Sequence, residues 1–524
     1  MTTIEWHSVD KPFKELKAFD EEKEPDKKHT ISIQREAIPI IIVPGIMGTA
    51  LKRGKKIVWN PRRKLWMLSK YLTASAKKRR RLLIGKDNED YFKDYLKVDN
   101  DSTGDGRHSI IDRYWIHALP DSYHKIFKKL KKEEWEGLNK VFEFPVYAFG
   151  YNWTNSNDTS GEKLADRIKK IKEEAKKITG ECKKVIIITH SMGGLVARSA
   201  SVLHKAEKDI LGIIHGTQPV TGAPLIYAKA KIGNLSLISG TVLGASAKEN
   251  VPIIGNTPGG LELLPSASYV DNDGKKSWLT ITDKNGKTTE YPKETNKGPF
   301  EEIYKIKGTA DESLHKDQDR KLYGFIDPDL LNPKLYRSAA TDKDKKKVAD
   351  DEWKKYIDKL KAAEEFQKKL GNKAHPNTYN FYGDGHACFD RIELYCKKRE
   401  SSIDTHGNVY KETLTPYKRA HFRGRNKDCP DDHFVDLRLP KIDGKKYQGD
   451  DTAPLSSATT LTINNVELKN SELDHMKAFN NSKAQLYCIS SIYTMCEEYI
   501  YSSCKVYKKI YDNDKKANSE GKKQ

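Results

Sequence analysis

The sequence predicts an α/β fold in which a mostly parallel sheet carries helices on both faces. Three observations lead there. The run Ile38-Pro39-Ile40-Ile41-Ile42-Val43 is short, apolar and closed by Pro44-Gly45, as a buried strand is, and Pro39 is tolerated at the strand's start. Val185-Ile186-Ile187-Ile188 is a second such run, passing at once into Thr189-His190-Ser191. From 38 to 215 strand and helix patterns alternate, the order that a parallel sheet covered on both faces requires.

Taken in order, residues 1–36 are polar and read as an arm over the surface. Residues 52–86 are strongly basic with aromatic interruptions at Trp59, Trp66 and Tyr71, then Lys77 to Arg81 and Leu82-Leu83-Ile84. An amphipathic helix is expected around Tyr123 to Trp135 and a strand around Phe142 to Phe149. A helix capped by Ser160 follows, with Leu164, Ile168, Ile171 and Ala175 at helical spacing. After the strand at 185–188 come a helix from Gly194 to Ala206 and a strand from Ile210 to Ile214. The alternation then stops. Residues 216–375 hold Gly/Pro-rich turns, a hairpin at Trp278 to Thr289 and a charged helix around Lys343 to Leu370, and read as an inserted cap or lid. Sheet order resumes at Thr378 to Tyr382, and a long final helix is expected from near His475. The predicted organisation is an arm at 1–36, a first core part at 37–215, the cap at 216–375, a second core part at 376–510 with a hairpin-rich excursion at 386–448, and a charged tail at 511–524.

The chain has 524 residues, with 94 Lys and Arg against 74 Asp and Glu, a net charge of +20. That balance favours acidic surfaces, anionic lipid or nucleic acid. Most charges are interleaved, as on solvated helix faces, and no nucleic-acid motif accompanies them, so no nucleic-acid partner is expected. There is no run of 18 apolar residues to span a bilayer. Met1 to Lys28 lacks the apolar stretch of a secretory signal peptide, so export by the general route is not expected. The seven cysteines form no CxxC pair, which argues against a zinc site or a dense disulfide framework. Asp271-Asn272-Asp273-Gly274 lacks the repeated oxygen ligands and closing Glu of a calcium loop and reads as a turn. Neither metal nor cofactor is expected.

The chemistry concentrates at Val185-Ile-Ile-Ile-Thr-His-Ser191-Met-Gly193-Gly194. A buried strand turning at once into a helix, with small residues beside a serine, describes a nucleophile elbow and makes this the α/β-hydrolase fold. The turn holds the serine in strained dihedrals, and Gly193 supplies room on the helical side. Thr189 stands where the GxSxG pattern begins with Gly. Ser191 then needs a base, and the base an orienting acid, in the chain order Ser, acid, His. His475, in Leu473-Asp474-His475-Met476, lies beyond every candidate strand and is the candidate base. For the acid, Gly449-Asp450-Asp451-Thr452 and Tyr382-Gly383-Asp384-Gly385 both qualify by position. The oxyanion hole should combine the Met192 amide with one from Pro44-Gly45-Ile46-Met47-Gly48, where two glycines admit a close backbone approach.

Together these residues resemble the lipid-acting esterases of the lecithin:cholesterol acyltransferase-like group, in the pieces PGIMG (44–48), HSMGG (190–194), GDDTAP (449–454) and His475. The resemblance implies Asp450, directly after the Gly, as the acid, and Met47 as the loop donor. Phe149-Gly-Tyr-Asn-Trp153, His215-Gly-Thr-Gln-Pro-Val-Thr-Gly-Ala-Pro224 with Tyr227, and Thr257-Pro-Gly-Gly-Leu-Glu-Leu-Leu-Pro265 narrow it to the lipase effectors of bacterial type VI secretion systems. It covers roughly 38–270 and 449–480. Asn152 stands where that group tends to have Asp, and GDDTAP replaces GDGTVP. The resemblance implies attack on membrane phospholipids in a neighbouring bacterium's periplasm, delivery from the producer's cytoplasm without a signal peptide, a cognate immunity protein and a secretion spike or chaperone partner.

Overall fold

A computed structural model describes residues 4–9, 29–85, 96–98, 120–233, 243–244, 246–282, 286–293, 297–307, 323–336, 341–398, 420–422, 433–438, 448–461, 463, 465, 467–503 and 511–512. Six strands build the central sheet: β1 (Ile40–Val43), β2 (Val146–Ala148), β3 (Val185–His190), β4 (Ile210–Gly216), β5 (Thr378–Gly383) and β6 (Leu468–Asn470). Their spatial order is β6-β5-β4-β3-β1-β2, and every neighbouring pair is parallel. β1, β3, β4 and β5 are buried at every position. That is why the central strands read as continuous apolar runs rather than as an alternation.

Period-two alternation sorts these side chains into two layers. Ile40, Ile42, Ile186 and Ile188 pack with Tyr123, Ile126 and Leu130 of α1 (Pro120–Lys132) and with Cys488, Ile492 and Met495 of α5 (Ser482–Ser503). Ile41, Val43, Ile187 and Ile213 pack on the other face with Leu164, Ile168 and Ile171 of α2 (Asn157–Thr179) and with Leu195 and Val196 of α3 (Gly193–Arg198). Burying each such side chain is worth about 1.5–3 kcal/mol, so the helices are held to the sheet chiefly by these two stripes.

Several boundaries differ from the sequence reading. α2 begins at Asn157, with Ser156 as its cap accepting from the Asp158 N–H at 3.0 Å, while Ser160 lies inside the helix. The stretch Asn155-Ser156-Asn157-Asp158-Thr159-Ser160 offers a capping side chain at every position, and the buried Glu262 selects among them. Its carboxylate accepts from Ser156 Oγ (2.6 Å) and from the Asn157 N–H (2.7 Å). The helix expected from near His475 starts instead at Ser482; before it the chain turns at His475, whose N–H is tied to the Asp450 carbonyl, and makes one 3-10 turn over Ala478–Asn480. The tail expected from 511 opens on a buried residue. Tyr511 is 1% exposed and belongs to the core layer of α1 and α5. Residues 1–36 contain two short strands, Ile4–Val9 and His29–Gln34, paired in parallel.

Beyond the sheet, a third apolar cluster gathers Tyr227, Leu264, Trp278, Tyr304, Phe325 and Tyr356. The hairpin of Leu279–Thr282 and Thr288–Tyr291 also pairs, in parallel, with Ile392–Lys398. One five-stranded sheet therefore joins segments that the sequence reading kept apart; much of the 386–448 excursion lies outside the described residues. α4 (Asp342–Leu370), capped by Thr341, is anchored by two buried arginines. Arg80 pairs with Glu352 at 2.9 Å, and Arg198 donates from Nε to the Lys373 carbonyl at 2.7 Å. Trp59, on the basic, aromatic segment 52–86, is buried, as are Arg79 and Arg80. On the same stretch Leu65 and Leu72 are 83% and 66% exposed. Asp271 is engaged by Arg391 and by its own turn amides, as a structural turn would be. Cys182, Cys388, Cys488 and Cys496 are buried free thiols.

Candidate active site

β3 ends at His190 and α3 begins at Gly193, leaving Ser191 and Met192 to turn the chain. Ser191 takes φ 53°, the left-handed region that L-residues enter only under constraint. Its N–H donates to the Gly216 carbonyl of β4 at 2.9 Å. The crowding that enforces the turn is measurable. A Cβ on Gly193 would lie 2.5 Å from the Pro44 carbonyl oxygen and 2.6 Å from that of Val43. Thr189, the departure from GxSxG, is fully buried, and its Oγ1 lies 2.8 Å from His215 Nδ1. The hydroxyl that a glycine would lack is thus hydrogen-bonded within the sheet.

His475 Nε2 lies 2.8 Å from Ser191 Oγ, and His475 Nδ1 lies 2.8 Å from Asp450 Oδ2. A third link fixes the loop, since the His475 N–H donates to the Asp450 carbonyl at 3.0 Å. The other carboxylate oxygen of Asp450 accepts from the amides of Thr452 (3.1 Å) and Ala453 (2.7 Å), so both oxygens are held. Gly383, at the end of β5, permits this approach: a Cβ there would fall 2.8 Å from the Asp450 Cβ. The rival Asp384 pairs with Lys469 at 2.8 Å. Asp451, at φ 79°, accepts from Thr452 Oγ1 and is exposed. Ser191, Asp450 and His475 are at most 5% exposed. Burial pulls His475 toward the neutral form, and Lys229 adds to that. The Asp450 carboxylate, by charge and hydrogen bond, together with Asp451, outweighs both, so the imidazole titrates above its ordinary value.

The loop after β1 is pinned through its carbonyls. Tyr151 Oη donates to the Pro44 carbonyl at 3.0 Å, and Trp59 Nε1 to that of Met47 at 2.9 Å. Met47 itself has φ 64°. Among the described residues no carbonyl takes up the amide hydrogens of Met47 or Met192. The sequence reading expected this pair of amides to serve as the oxyanion donors. Two further residues went unassigned in the sequence. Tyr123 carried no signal beyond an amphipathic helix, and His190, although quoted in HSMGG, was given no role. Among the described residues no cluster of His, Cys, Asp and Glu is arranged to hold a metal ion, and no helix is long and apolar enough to cross a membrane.

The parallel sheet order and the strand-to-helix turn at Ser191 are those of an α/β-hydrolase fold. Comparison with known proteins agrees. Residues 116–237 match the PGAP1-like alpha/beta domain family. Lecithin-cholesterol acyltransferase-like 4 of Arabidopsis thaliana is 27% identical over 225 residues, a match spanning 38% of this chain and 38% of that protein. Among solved structures, the chain is similar in fold to Tle4, as seen in the crystal structure of the Tle4–Tli4 complex. That match has a TM-score of 0.67 at 23% identity and covers 88% of this chain and 99% of the other. Bacillus licheniformis lipase BlEst2 overlaps only slightly, with a TM-score of 0.18 at 14% identity over 43% of this chain and 62% of that one.

Proposed function

We propose that the chain is a serine carboxylic-ester hydrolase that cleaves acyl esters of membrane glycerophospholipids and serves as an antibacterial effector. The observation that carries this reading is the unbroken, buried line of 2.8 Å contacts from Asp450 through His475 to Ser191. It ends on a strained elbow, where the Met192 amide, like that of Met47 in the loop after β1, meets no carbonyl acceptor among the described residues.

In the proposed reaction His475 Nε2 takes the Ser191 hydroxyl proton as Oγ attacks the ester carbonyl carbon. The carbonyl oxygen becomes an oxyanion held by the amides of Met47 and Met192, each worth about 3 kcal/mol in the transition state. Asp450 accepts from Nδ1–H, holding the tautomer that leaves Nε2 free and stabilising the imidazolium. Collapse breaks the bond to the glycerol oxygen, which leaves with the proton from His475, and the acyl group remains on Ser191. Water, deprotonated by His475, then attacks the acyl carbon; the bond to Ser191 Oγ breaks, fatty acid is released, and His475 returns the proton to Oγ.

The lipid assignment draws on the motif resemblance and on the fold match to Tle4. Met476, next to His475, is 47% exposed, and Leu65 and Leu72 stand free on a basic segment. These are groups able to meet an anionic bilayer surface. By the same reading the protein leaves the producer's cytoplasm, acts at the target's periplasmic membrane, and binds an immunity protein and a spike or chaperone. The test is fatty-acid release from phosphatidylethanolamine–phosphatidylglycerol vesicles by wild type and by Ser191→Ala. Release by wild type alone is expected; folded wild type that releases none would sink the lipid assignment. The match to an acyltransferase-like protein favours a second reading, acyl transfer to an alcohol. Adding a sterol or diacylglycerol acceptor distinguishes the two by the appearance of a new ester.

A further inference from the structure

Behind the contact between Ser191 and His475 runs a second line of hydrogen bonds that the proposed reaction does not use. The Gly45 N–H, in the loop that carries Met47, donates to Tyr123 Oη at 3.0 Å. That oxygen lies 2.8 Å from His190 Nδ1, and His190 Nε2 lies 2.8 Å from the carbonyl oxygen of His475. A carbonyl only accepts, so His190 carries its proton on Nε2 and donates it there. Nδ1 is then an acceptor, and the Tyr123 hydroxyl donates to it. The line has one direction, from the oxyanion loop through two side chains to the backbone of His475.

The surroundings hold this arrangement in place. Tyr123 and His190 are 2% and 3% exposed. Their rings meet edge-on at 5.5 Å, and Phe479 packs on both at 6.0 and 5.9 Å. Burial, with the charge of His475, pushes His190 down to about 3, which keeps the ring neutral with a single proton. A Cβ on Gly45 would sit 3.0 Å from His190 Nδ1 and 3.0 Å from the Ser191 Cβ, so the loop is pressed directly onto this line.

We propose that Tyr123 and His190 are positioning residues that lock the Met47 loop and the His475 loop in register on either side of Ser191. This rests on the reading of Ser191 as nucleophile. The two loops belong to distant parts of the chain, and the reaction needs both placed to within about 0.5 Å. A histidine ending a buried strand is ordinarily a satisfied core residue. Here it joins, through Tyr123 on one side and directly on the other, the two loops whose relative placement sets the reacting geometry.

The test uses the full chain and two readouts: the second-order rate of Ser191 labelling by a fluorophosphonate, and kcat and KM on a short-chain ester, normalised to labelled sites. Tyr123→Phe keeps the ring and removes one hydroxyl. Its kcat and labelling rate are expected to fall about 10- to 100-fold, as small misplacements of reacting groups do. KM should stay within about twofold, the pattern of an interaction felt in the transition state. His190→Gln, whose amide can still donate to the His475 carbonyl, should retain more activity than His190→Ala. Wild-type rates per labelled site in Tyr123→Phe would overturn the proposal, as would equal losses in His190→Gln and His190→Ala. Labelling rates decide the matter whether or not vesicles are cleaved, so failure of the lipid assignment is separately visible. A wild type that cannot be labelled overturns the nucleophile and this proposal together.

Discussion

Replacing Asp450 by Asn changes one atom and tests the acid assignment most sharply. Asp450 Oδ1 accepts from two backbone amides at 3.1 and 2.7 Å, and Oδ2 faces His475 Nδ1 at 2.8 Å. An asparagine can keep its oxygen on the two amides, which preserves the turn, but its NH2 then points at Nδ1. The opposite orientation sets an NH2 against two N–H donors and is disfavoured. With the first orientation Nδ1 must accept, so the imidazole proton moves to Nε2 and faces Ser191 Oγ, where no proton can be taken up. The expected loss is about 1,000- to 10,000-fold in kcat, the scale of a wrong tautomer in a Ser-His-Asp triad, or about 4 to 5.5 kcal/mol of barrier. KM should change little, and thermal unfolding should report a folded protein. Initial rates of ester hydrolysis for Asp450→Asn and Asp384→Asn decide it. A kcat within tenfold of wild type for Asp450→Asn, or an equal loss for Asp384→Asn, would refute the reasoning.

The pH profile supplies a second check. His475 is raised above 6.5, and its imidazolium cannot accept a proton, so kcat/KM should fall as pH drops through a limb lying above 6.5. Asp451→Asn removes a raising charge and should move that limb down, whereas Lys229→Met removes a lowering one and should move it up. A wild-type limb below 6.5, or shifts of the same sign in both variants, would contradict the assigned surroundings of His475. Gly193→Ala tests the elbow: its methyl would meet two backbone carbonyls at 2.5 and 2.6 Å. Overpacking of this kind costs about 1–3 kcal/mol, read as a lowered denaturation midpoint together with lost activity. A variant with wild-type stability and rate would mean that α3 is not pressed against the end of β1.

The sequence by itself carried the buried central strands and the strand-to-helix turn at Ser191. β1, β3, β4 and β5 are buried on both faces, so their runs are apolar without interruption, and the elbow shows itself because a strand can turn into a helix at Ser191 only with glycine beside it. His475 was legible as the late histidine. The choice of Asp450 over Asp384 came through a resemblance, since position alone left both open. Tertiary structure decided the rest. Asp384 is spent on Lys469, while Gly383 lets the Asp450 loop settle where both carboxylate oxygens are satisfied. Trp59, on a basic segment that reads as surface, is buried, with its indole holding the Met47 carbonyl. Ser160 gave way to Ser156 as a cap because Glu262, about a hundred residues away, supplies the matching acceptor. Tyr123 and His190 left no periodic trace, because their hydrogen bonds join residues 67, 78 and 285 positions apart. Local pattern records what a residue's own segment needs, and a contact closed across the fold is written in no single segment.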